Sequence, residues 1–290
     1  MDFDSHKEPG RVVELVDGKT RVGVDLMGCR IVRYQTDGLS WLRAADAVCP
    51  GTFPMIPFAS RIRKSKFTFH NHRVALPANN PPEAHAIHGH AWQREWRVLE
   101  RSAHKAVLTY RHDGQYWPWR YHAVVSFTLS GMHLDLEMCV TNDAEDKMPL
   151  GIGWHPYFPV TRGCRVTTAV THRWCLDDEL FPTHKVVSPR QLFSPGEENL
   201  DAVFAGWNRL VTIQWPERRA TLRMQAGRLF DYFVVYSPGA DFFCAEPVSN
   251  LPDAFNAYAS GADEHGTLVL APEATASASL SFKPEIGAGE

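Results

Sequence analysis

Apolar and polar residues alternate along many stretches of the chain. The apolar members of four such stretches are Val22, Val24 and Leu26; Leu134, Leu136 and Met138; Val211, Ile213 and Trp215; and Ala276, Ala278, Leu280 and Phe282. Since successive side chains of a β-strand point to opposite faces, this period of two predicts strands that bury one face and expose the other. Residues 230–236 are more uniformly apolar and predict a strand that is covered on both faces.

Turn-forming clusters separate these stretches. They include Asp17-Gly18, Asp113-Gly114, Ser130-Gly131, Ser194-Pro195-Gly196 and Ser237-Pro238-Gly239. Glycine and proline at this frequency are typical of antiparallel sheets, and no window of about ten residues has a convincing helical pattern. We therefore predict an all-β fold with two large antiparallel sheets packed face to face. No internal repeat or low-complexity linker divides the chain, so residues 1–290 are predicted to form a single domain.

The composition narrows the classes of function. Hydrophobic residues make up 44% of the chain, enough for a sizeable core. The 30 basic and 33 acidic residues are interspersed and give a net charge of −3. A nucleic-acid interface would need lysine and arginine clustered on one face. We therefore expect no nucleic-acid partner and favour a neutral or weakly charged small-molecule substrate.

The N-terminus and the cysteines indicate where the protein works. Residues 1–9 are polar and mixed in charge, unlike a signal peptide. The apolar runs are shorter than the roughly 20 residues that a bilayer requires. The cysteines form no CxxC pair and are interpreted as reduced thiols; they are Cys29, Cys49, Cys139, Cys164, Cys175 and Cys244. We expect a cytoplasmic protein without a membrane partner, and the oligomeric state stays open.

Polar, ionisable and aromatic residues concentrate in three segments. The first combines residues 60–62 with residues 85–92, the second is residues 151–158, and the third is residues 242–256. Taken separately, each has an ordinary structural explanation. A histidine beside proline and aromatic residues is usually a hydrogen-bonded structural group, and a glutamate between apolar residues is usually a turn carboxylate.

Taken together, the order and spacing of these segments resemble the signature regions of the aldose 1-epimerase family. The matching residues are Arg61-Ile62, His88-Gly89, His155-Pro156-Tyr157-Phe158, and Glu246 followed by Asn250-Leu251-Pro252-Asp253-Ala254-Phe255-Asn256. The resemblance covers residues 12–282. Two positions differ from the family pattern: Ser60 replaces an asparagine, and His90 replaces the second glycine of His-Gly-Gly.

The resemblance implies a large antiparallel β-sandwich and an isomerase that interconverts the α and β anomers of a free aldose. It implies that Glu246 is the base for the C1 hydroxyl and His155 the acid for the ring oxygen. It also implies that Arg61, His88 and Asp201 bind sugar hydroxyls. No metal and no organic cofactor is expected, because side chains can supply each proton transfer.

The chemistry of mutarotation sets a geometric expectation. Opening a hemiacetal removes a proton from the C1 hydroxyl while the ring oxygen gains one, so an acid and a base must both reach the sugar. We expect Glu246 and His155 to share one open cleft, on opposite sides of the hemiacetal and far enough apart to admit it. Trp92 or Trp154 is a candidate for an apolar platform under the ring.

A metal-dependent enzyme is one alternative. His88, His90 and Glu95 reproduce the His-x-His-x₄-Glu spacing of cupin metal sites, and two histidines at i and i+2 of a strand share one face. The other features of a cupin pattern are missing: Pro82 and Ser102 stand where glycines would be expected.

Two further alternatives concern the substrate. A hexose-6-phosphate mutarotase of the same fold would need cations near the sugar's C6. Arg61 and Arg63 are candidates, whereas strand alternation would turn Lys64 away from them. A non-catalytic sugar-binding sandwich would not need both His155 and Glu246, so the presence of both favours an enzyme.

Overall fold

The computed structural model describes residues 11–287, and antiparallel strands make up most of this part of the chain. The strands are β1 (Val12–Asp17), β2 (Thr20–Asp25), β3 (Arg30–Thr36), β4 (Leu39–Ser40), β5 (Phe53–Met55), β6 (Arg61–Ile62), β7 (Lys66–Phe69), β8 (His72–Ala75), β9 (Ala86–Ile87), β10 (Arg97–Arg101), β11 (Lys105–His112), β12 (Tyr121–Ser130), β13 (His133–Asn142), β14 (Met148–Leu150), β15 (Gly153–His155), β16 (Tyr157–Pro159), β17 (Arg165–Leu176), β18 (Pro182–Phe193), β19 (Leu200–Ala205), β20 (Leu210–Trp215), β21 (Ala220–Ala226), β22 (Tyr232–Ser237), β23 (Phe242–Val248), β24 (Leu268–Leu270) and β25 (Thr275–Ile286). The one α-helix in residues 11–287 is α1 (Ala254–Ala259). Short 3-10 turns occur at Arg63–Ser65, Ala91–Gln93 and Pro216–Arg218. The predicted all-β class is confirmed.

Most of the long strands belong to one 15-stranded antiparallel sheet. Its order is β10-β11-β12-β13-β25-β21-β20-β17-β19-β22-β23-β15-β5, with β16 paired to β23 and β18 paired to β17. A four-stranded sheet, β1-β2-β3-β4, is formed by the beginning of the chain. Three two-stranded sheets, β6-β9, β7-β8 and β14-β24, connect the larger ones.

Face-to-face packing of the sheets encloses the core. Tyr34 of β3 lies with its ring centroid 6.2 Å from that of Phe282 of β25. Trp41, just after β4, lies 6.4 Å from Trp215 of β20. The largest buried apolar cluster extends from Val13 near one end of the chain to Phe282 near the other. The fold is therefore the predicted β-sandwich.

The alternation in sequence corresponds to alternating burial. In β13, Leu134, Leu136 and Met138 are buried, whereas Asp135 and Glu137 are exposed. Strand β25 repeats this pattern, and β22 is buried on both faces over most of its length, as expected. One boundary differs: β2 ends before Leu26, which is only partly buried.

The strand alternation through β13 generates a stability prediction. Leu136→Ala should lower the free energy of unfolding by about 2–5 kcal/mol, because it leaves a cavity in a close-packed core. The neighbouring control Glu137→Ala should change it by less than about 0.5 kcal/mol, because that side chain faces solvent. Urea denaturation measures both. Equal losses in the two variants would contradict the register described for β13.

Candidate functional site

The five residues expected to form the sugar site line one pocket of about 460 Å³. They come from five separate elements: Arg61 lies on β6, His88 follows β9, His155 ends β15, Asp201 lies on β19 and Glu246 lies on β23. Positions about 185 residues apart in sequence, Arg61 and Glu246, are thus brought together by the folding of the large sheet and its flanking loops.

Strand alternation explains why Glu246 faces the pocket. Its neighbours Phe243 and Ala245 belong to the main hydrophobic core, so Cys244 and Glu246 point to the opposite face of β23. Pairing between β22 and β23 sets Val234 opposite Glu246, and Val234 also lines the pocket. The carboxylate therefore projects into the pocket from a strand that is paired on both sides.

Glu246 and His155 lie directly beside each other. The distance from His155 Nε2 to Glu246 Oε1 is 3.4 Å, and the two side chains are 10% and 4% exposed. The expectation that the two groups lie far enough apart to admit a hemiacetal between them is wrong, because 3.4 Å is a direct contact. The physical reason is strand register: antiparallel pairing sets Gly153 opposite Val248 and Tyr157 opposite Cys244, which places His155 beside Glu246 on the neighbouring strand.

Burial controls the protonation of this pair. Desolvation, together with the nearby Asp201, raises the pKa of Glu246 well above its usual range, and Arg61 partly opposes this shift. Desolvation also lowers the pKa of His155 to about 3, with a further contribution from Arg61. Both shifts disfavour the charged forms, so the pocket favours a neutral carboxylic acid beside a neutral imidazole.

Arg61 is fixed by a contact that the sequence did not reveal. Its Nε donates to Glu83 Oε2 at 2.7 Å, and the two side chains are 22% and 19% exposed. The ion pair lowers the pKa of Glu83, although desolvation acts in the opposite direction. Glu83 lies in a loop before β9 and belongs to none of the matched motifs, so no spacing rule identified it.

His88 is oriented by the backbone of Ser60. Its ring Nδ1 accepts a hydrogen bond from the Ser60 backbone N–H at 3.2 Å, and the His88 backbone N–H donates to the Ser60 carbonyl at 2.9 Å. Burial, His155 and Arg61 lower the pKa of His88 well below its usual range. A neutral imidazole whose Nδ1 accepts must carry its proton on Nε2, so His88 can donate from Nε2.

Aromatic rings form one wall of the pocket. The His155 ring packs against Phe53 and Tyr157, with centroid distances of 4.8 and 4.7 Å. Trp92 stacks on Phe53 at 4.8 Å and lines the pocket, as one of the two platform candidates was expected to do. The other candidate, Trp154, is fully buried in the core because strand alternation turns it away from the pocket.

The most specific matched motif braces the site from behind. Asn250 is buried and bonds both backbone groups of Ala59: its Oδ1 accepts from the N–H at 3.1 Å, and its Nδ2 donates to the carbonyl at 3.0 Å. Asp253 uses its backbone N–H to bond the Arg61 carbonyl at 2.7 Å and its carboxylate to accept from the Arg63 N–H at 2.9 Å. The motif therefore holds the segment that carries Arg61.

The histidines of the cupin-like spacing do not converge. His88 lines the 460 Å³ pocket, whereas His90 lines a separate cavity and bonds the Tyr121 hydroxyl at 2.9 Å. Glu95 is exposed. These residues separate because β9 ends before His88, which has a φ of 58°, so the expected strand alternation does not apply.

A different group in residues 11–287 could hold a metal ion. One potential ligand atom from each of His155, Cys244 and Glu246 lies within 4.8 Å of the others. Nitrogen, sulfur and carboxylate oxygen are ligands that Zn²⁺ accepts. Burial raises the pKa of the Cys244 thiol well above its usual range, however, which opposes the thiolate form needed for binding.

The candidate phosphate-binding residues are engaged elsewhere. The strand expected to continue beyond Arg61 ends at Ile62, and a 3-10 turn follows in which Lys64 has a φ of 53°. The guanidinium of Arg63 bonds Asp177 at 2.6 Å and Glu179 at 2.8 Å. Arg63 is therefore neutralised outside the pocket, and the assumption that it shares a strand face with Arg61 is wrong.

Comparison with known proteins places this architecture in a defined class, the galactose mutarotase-like β-sandwiches. A galactose mutarotase-like protein from Clostridium acetobutylicum superposes with a TM-score of 0.84, at 17% identity over 95% of each chain. A galactose 1-epimerase from Lactobacillus acidophilus superposes with a TM-score of 0.75, at 16% identity, over 96% of this chain and 95% of that one.

The sequence comparisons give the family. The sequence model of aldose 1-epimerase matches residues 11–283. The uncharacterized protein YphB of Escherichia coli K12 is 30% identical, over 94% of this chain and 99% of its own length. This chain belongs to the aldose 1-epimerase family. Within residues 11–287, no helix has the length and apolar character needed to cross a bilayer.

The bracing role of Asn250 can be tested by Asn250→Ala. Loss of the amide leaves two buried backbone groups of Ala59 unpaired, and each unsatisfied group costs about 1–3 kcal/mol. Urea denaturation should therefore show a large fall in the free energy of unfolding. The control Asn71→Ala, in the exposed turn between β7 and β8, should have a much smaller effect. If both variants were equally stable, the amide would not be a brace.

Proposed function

We propose that the protein is an aldose 1-epimerase that interconverts the α and β anomers of a free, unphosphorylated aldose by acid–base catalysis. The observation that carries this proposal is the 3.4 Å contact between His155 Nε2 and Glu246 Oε1 inside a pocket of sugar-sized dimensions. Hydrogen-bonding groups from Arg61, His88 and Asp201 surround the pair, so one ring can be bound and reacted in the same place.

Ring opening assigns a role to each member of the pair. Glu246 takes the proton of the C1 hydroxyl, and the C1–O bond gains double-bond character. The bond between C1 and the ring oxygen breaks as His155 gives its Nε2 proton to that oxygen. The products are the open-chain aldehyde, a protonated Glu246 and a neutral His155. Positioned proton transfer of this kind contributes roughly 10²–10⁴-fold in rate.

Ring closure reverses these transfers after the aldehyde group has rotated. Rotation about the C1–C2 bond presents the other face of the carbonyl to the ring hydroxyl. His155 accepts the hydroxyl proton while Glu246 returns its proton to the carbonyl oxygen, which gives the other anomer and restores the starting pair. Throughout the cycle, Glu246 and His155 together carry one proton more than a carboxylate and a neutral imidazole would carry.

The electrostatics of the pocket suit this cycle. Burial favours the neutral Glu246 and neutral His155 that accompany the open-chain sugar. Arg61 favours the Glu246 carboxylate needed for ring opening, because its positive charge lowers the pKa of Glu246, and it disfavours the His155 imidazolium, because it lowers that pKa as well.

The charges around the pocket favour a neutral sugar. Asp201 and Glu246 are both acidic and line the pocket, and Glu83 already neutralises Arg61. The guanidinium of Arg63 is paired with two carboxylates outside it. A sugar phosphate would therefore meet no unpaired arginine among the pocket-lining residues, whereas neutral hydroxyls can bond both the carboxylates and His88.

The catalytic pair is tested by Glu246→Gln and His155→Asn. Each keeps a hydrogen-bonding side chain and removes a proton-transfer group, so each should lower kcat by at least about 10²-fold. The double variant should be little worse than either single variant, because groups that act as a unit are not additive. Polarimetry or NMR exchange with galactose, glucose, arabinose and xylose measures these rates.

Cys244→Ala is the matched control for a metal-dependent reaction. It removes the third potential ligand of the His155, Cys244 and Glu246 group and leaves the acid–base pair intact. We expect the activity per folded molecule, and its insensitivity to chelators, to be retained. An inactive Cys244→Ala, or activity that chelation abolishes and added Zn²⁺ restores, would replace the acid–base proposal by a metal-dependent one.

The pKa shifts predict the pH profile of kcat/KM. The reactive state holds one proton on the pair, and the pair titrates as a unit. Because the pKa of His155 is lowered from 6.5 to about 3, acidification should not add a second proton until the pH approaches that lower value. Because the pKa of Glu246 is raised from 4.5, the single proton should be lost only as the pH rises through that higher value.

Activity should therefore persist as the pH is lowered through 6.5 and should fall on the alkaline side. The measurement is the enzymatic anomer-exchange rate after subtraction of the spontaneous rate, with circular dichroism at each pH to exclude unfolding. A half-maximal kcat/KM at pH 6.5 on the acid side would show that a histidine with an ordinary pKa controls the reaction.

A further inference from the structure

A second cavity of about 270 Å³ lies behind the sugar pocket. Its inner wall contains His90, Tyr110 and His112, and its rim contains Arg94 and Tyr116. The volume approaches the lower end of the roughly 300–1,000 Å³ that is usual for small-molecule sites. None of these residues takes part in the acid–base mechanism, so the cavity needs an explanation of its own.

The segment from Ile87 to His90 separates the two cavities. His88 faces the sugar pocket, and His90 lines the second cavity. Gly89 between them has a φ of 68°, and a Cβ there would lie 2.0 Å from the Ile56 carbonyl oxygen. Only glycine permits this close backbone approach, which makes the partition thin and fixes the two histidines on opposite sides.

The charged residues at the cavity mouth are Arg94, Arg111 and Asp113, and all three are exposed. Within residues 11–287 the Arg94 guanidinium has no ion pair and no side-chain hydrogen bond. The charges of Arg111 and Asp113 are opposite in sign, so Arg94 leaves the lining with a net positive charge. An unpaired guanidinium beside a cavity is suited to a carboxylate or phosphate, which it can bind through two parallel hydrogen bonds.

The histidines of the inner wall are neutral and lie close to this arginine. Burial, with His112 and Arg94, lowers the pKa of His90 to about 3. Burial also lowers the pKa of His112, and Arg94 adds to that shift. The His90 and His112 ring centroids are 4.4 Å apart with their planes tilted by 41°, so the inner wall presents two aromatic faces to the cavity.

The rim carries a strained aromatic side chain. Tyr116 is 56% exposed, although it is large and apolar. It also has a φ of 63°, in the left-handed region that a bulky residue seldom adopts. An exposed ring held in an unfavourable backbone conformation at the mouth of a cavity is a feature typical of ligand sites.

We propose that this cavity binds a small organic anion that carries a flat ring. Its carboxylate or phosphate pairs with Arg94, and its ring lies between the inner wall of His90 and His112 and the rim residue Tyr116. Carboxylates and phosphates share the chemistry that Arg94 recognises. The bound anion does not overlap the sugar pocket, because the Ile87–His90 segment lies between them.

Isothermal titration calorimetry at constant ionic strength tests the site with phenyl phosphate, benzoate and inorganic phosphate. None of these probes has an anomeric carbon. We expect phenyl phosphate and benzoate to bind saturably with one molecule per chain, and inorganic phosphate to bind more weakly because it lacks the ring. The relative affinities of phenyl phosphate and benzoate identify which anionic group is preferred.

Three variants locate the bound anion. Arg94→Gln should weaken all probes by about tenfold or more, because it removes the charge-assisted contact. The control Arg97→Gln removes the same charge from an exposed residue of β10 and should leave the affinities unchanged. Tyr116→Asn tolerates the left-handed conformation and should weaken phenyl phosphate but not inorganic phosphate.

The proposal is overturned by three results. One is the absence of saturable binding of phenyl phosphate and benzoate to the wild-type protein. The second is equal weakening by Arg94→Gln and Arg97→Gln, which would indicate nonspecific attraction. The third is loss of binding in Arg61→Ala, which would place the anion in the sugar pocket. Unchanged anomer exchange in Arg94→Gln confirms that the variant is folded, and this readout is independent of the proposed anion.

Discussion

The burial of a carboxyl group beside an imidazole is the constraint to which the rest of the site responds. Moving a charged group out of water is costly, so Glu246 and His155 are both driven toward their neutral forms. Arg61 supplies a counter-charge near the pair, and Glu83 holds Arg61 in place at 2.7 Å. The pocket thus favours the neutral acid and the neutral imidazole, while Arg61 favours the carboxylate form of Glu246.

Two kinds of structure hold this arrangement. Glu246 is placed by the long strands, since the alternation that sends Phe243 into the core leaves it no other direction. The substrate-binding side is built from short strands and loops, where regular hydrogen bonding cannot fix a side chain. There the fixing comes from single contacts, such as the Asn250 amide that bonds the backbone of Ala59. Motif residues such as Asn250 are therefore needed to fix the backbone in the short strands and loops outside the large sheet.

The sequence predicted the strands and five residues that line one pocket, but not the inner geometry of that pocket. Period-two runs identified β13 and β25 because alternating burial leaves a direct trace in the order of residues. The roles of Glu246 and His155 came from resemblance, and their adjacency could not be read from positions about ninety residues apart. Spacing rules also failed where their assumed element was absent: Lys64 lies in a 3-10 turn and not on a strand. No sequence pattern identified Glu83, because its contact with Arg61 depends on how the loop before β9 folds.

The departure from the family pattern at His90 acquires a physical meaning from this geometry. The preceding glycine, Gly89, is required by its contact with the Ile56 carbonyl, which a side chain would obstruct. Position 90 has no such restriction, because it opens onto the second cavity and its imidazole bonds the Tyr121 hydroxyl. A substitution there can change the second cavity while His88, held by Ser60, keeps its place in the sugar pocket. The segment from Ile87 to His90 thus separates the sugar pocket, which the proposed chemistry constrains, from the second cavity, which can acquire a different ligand.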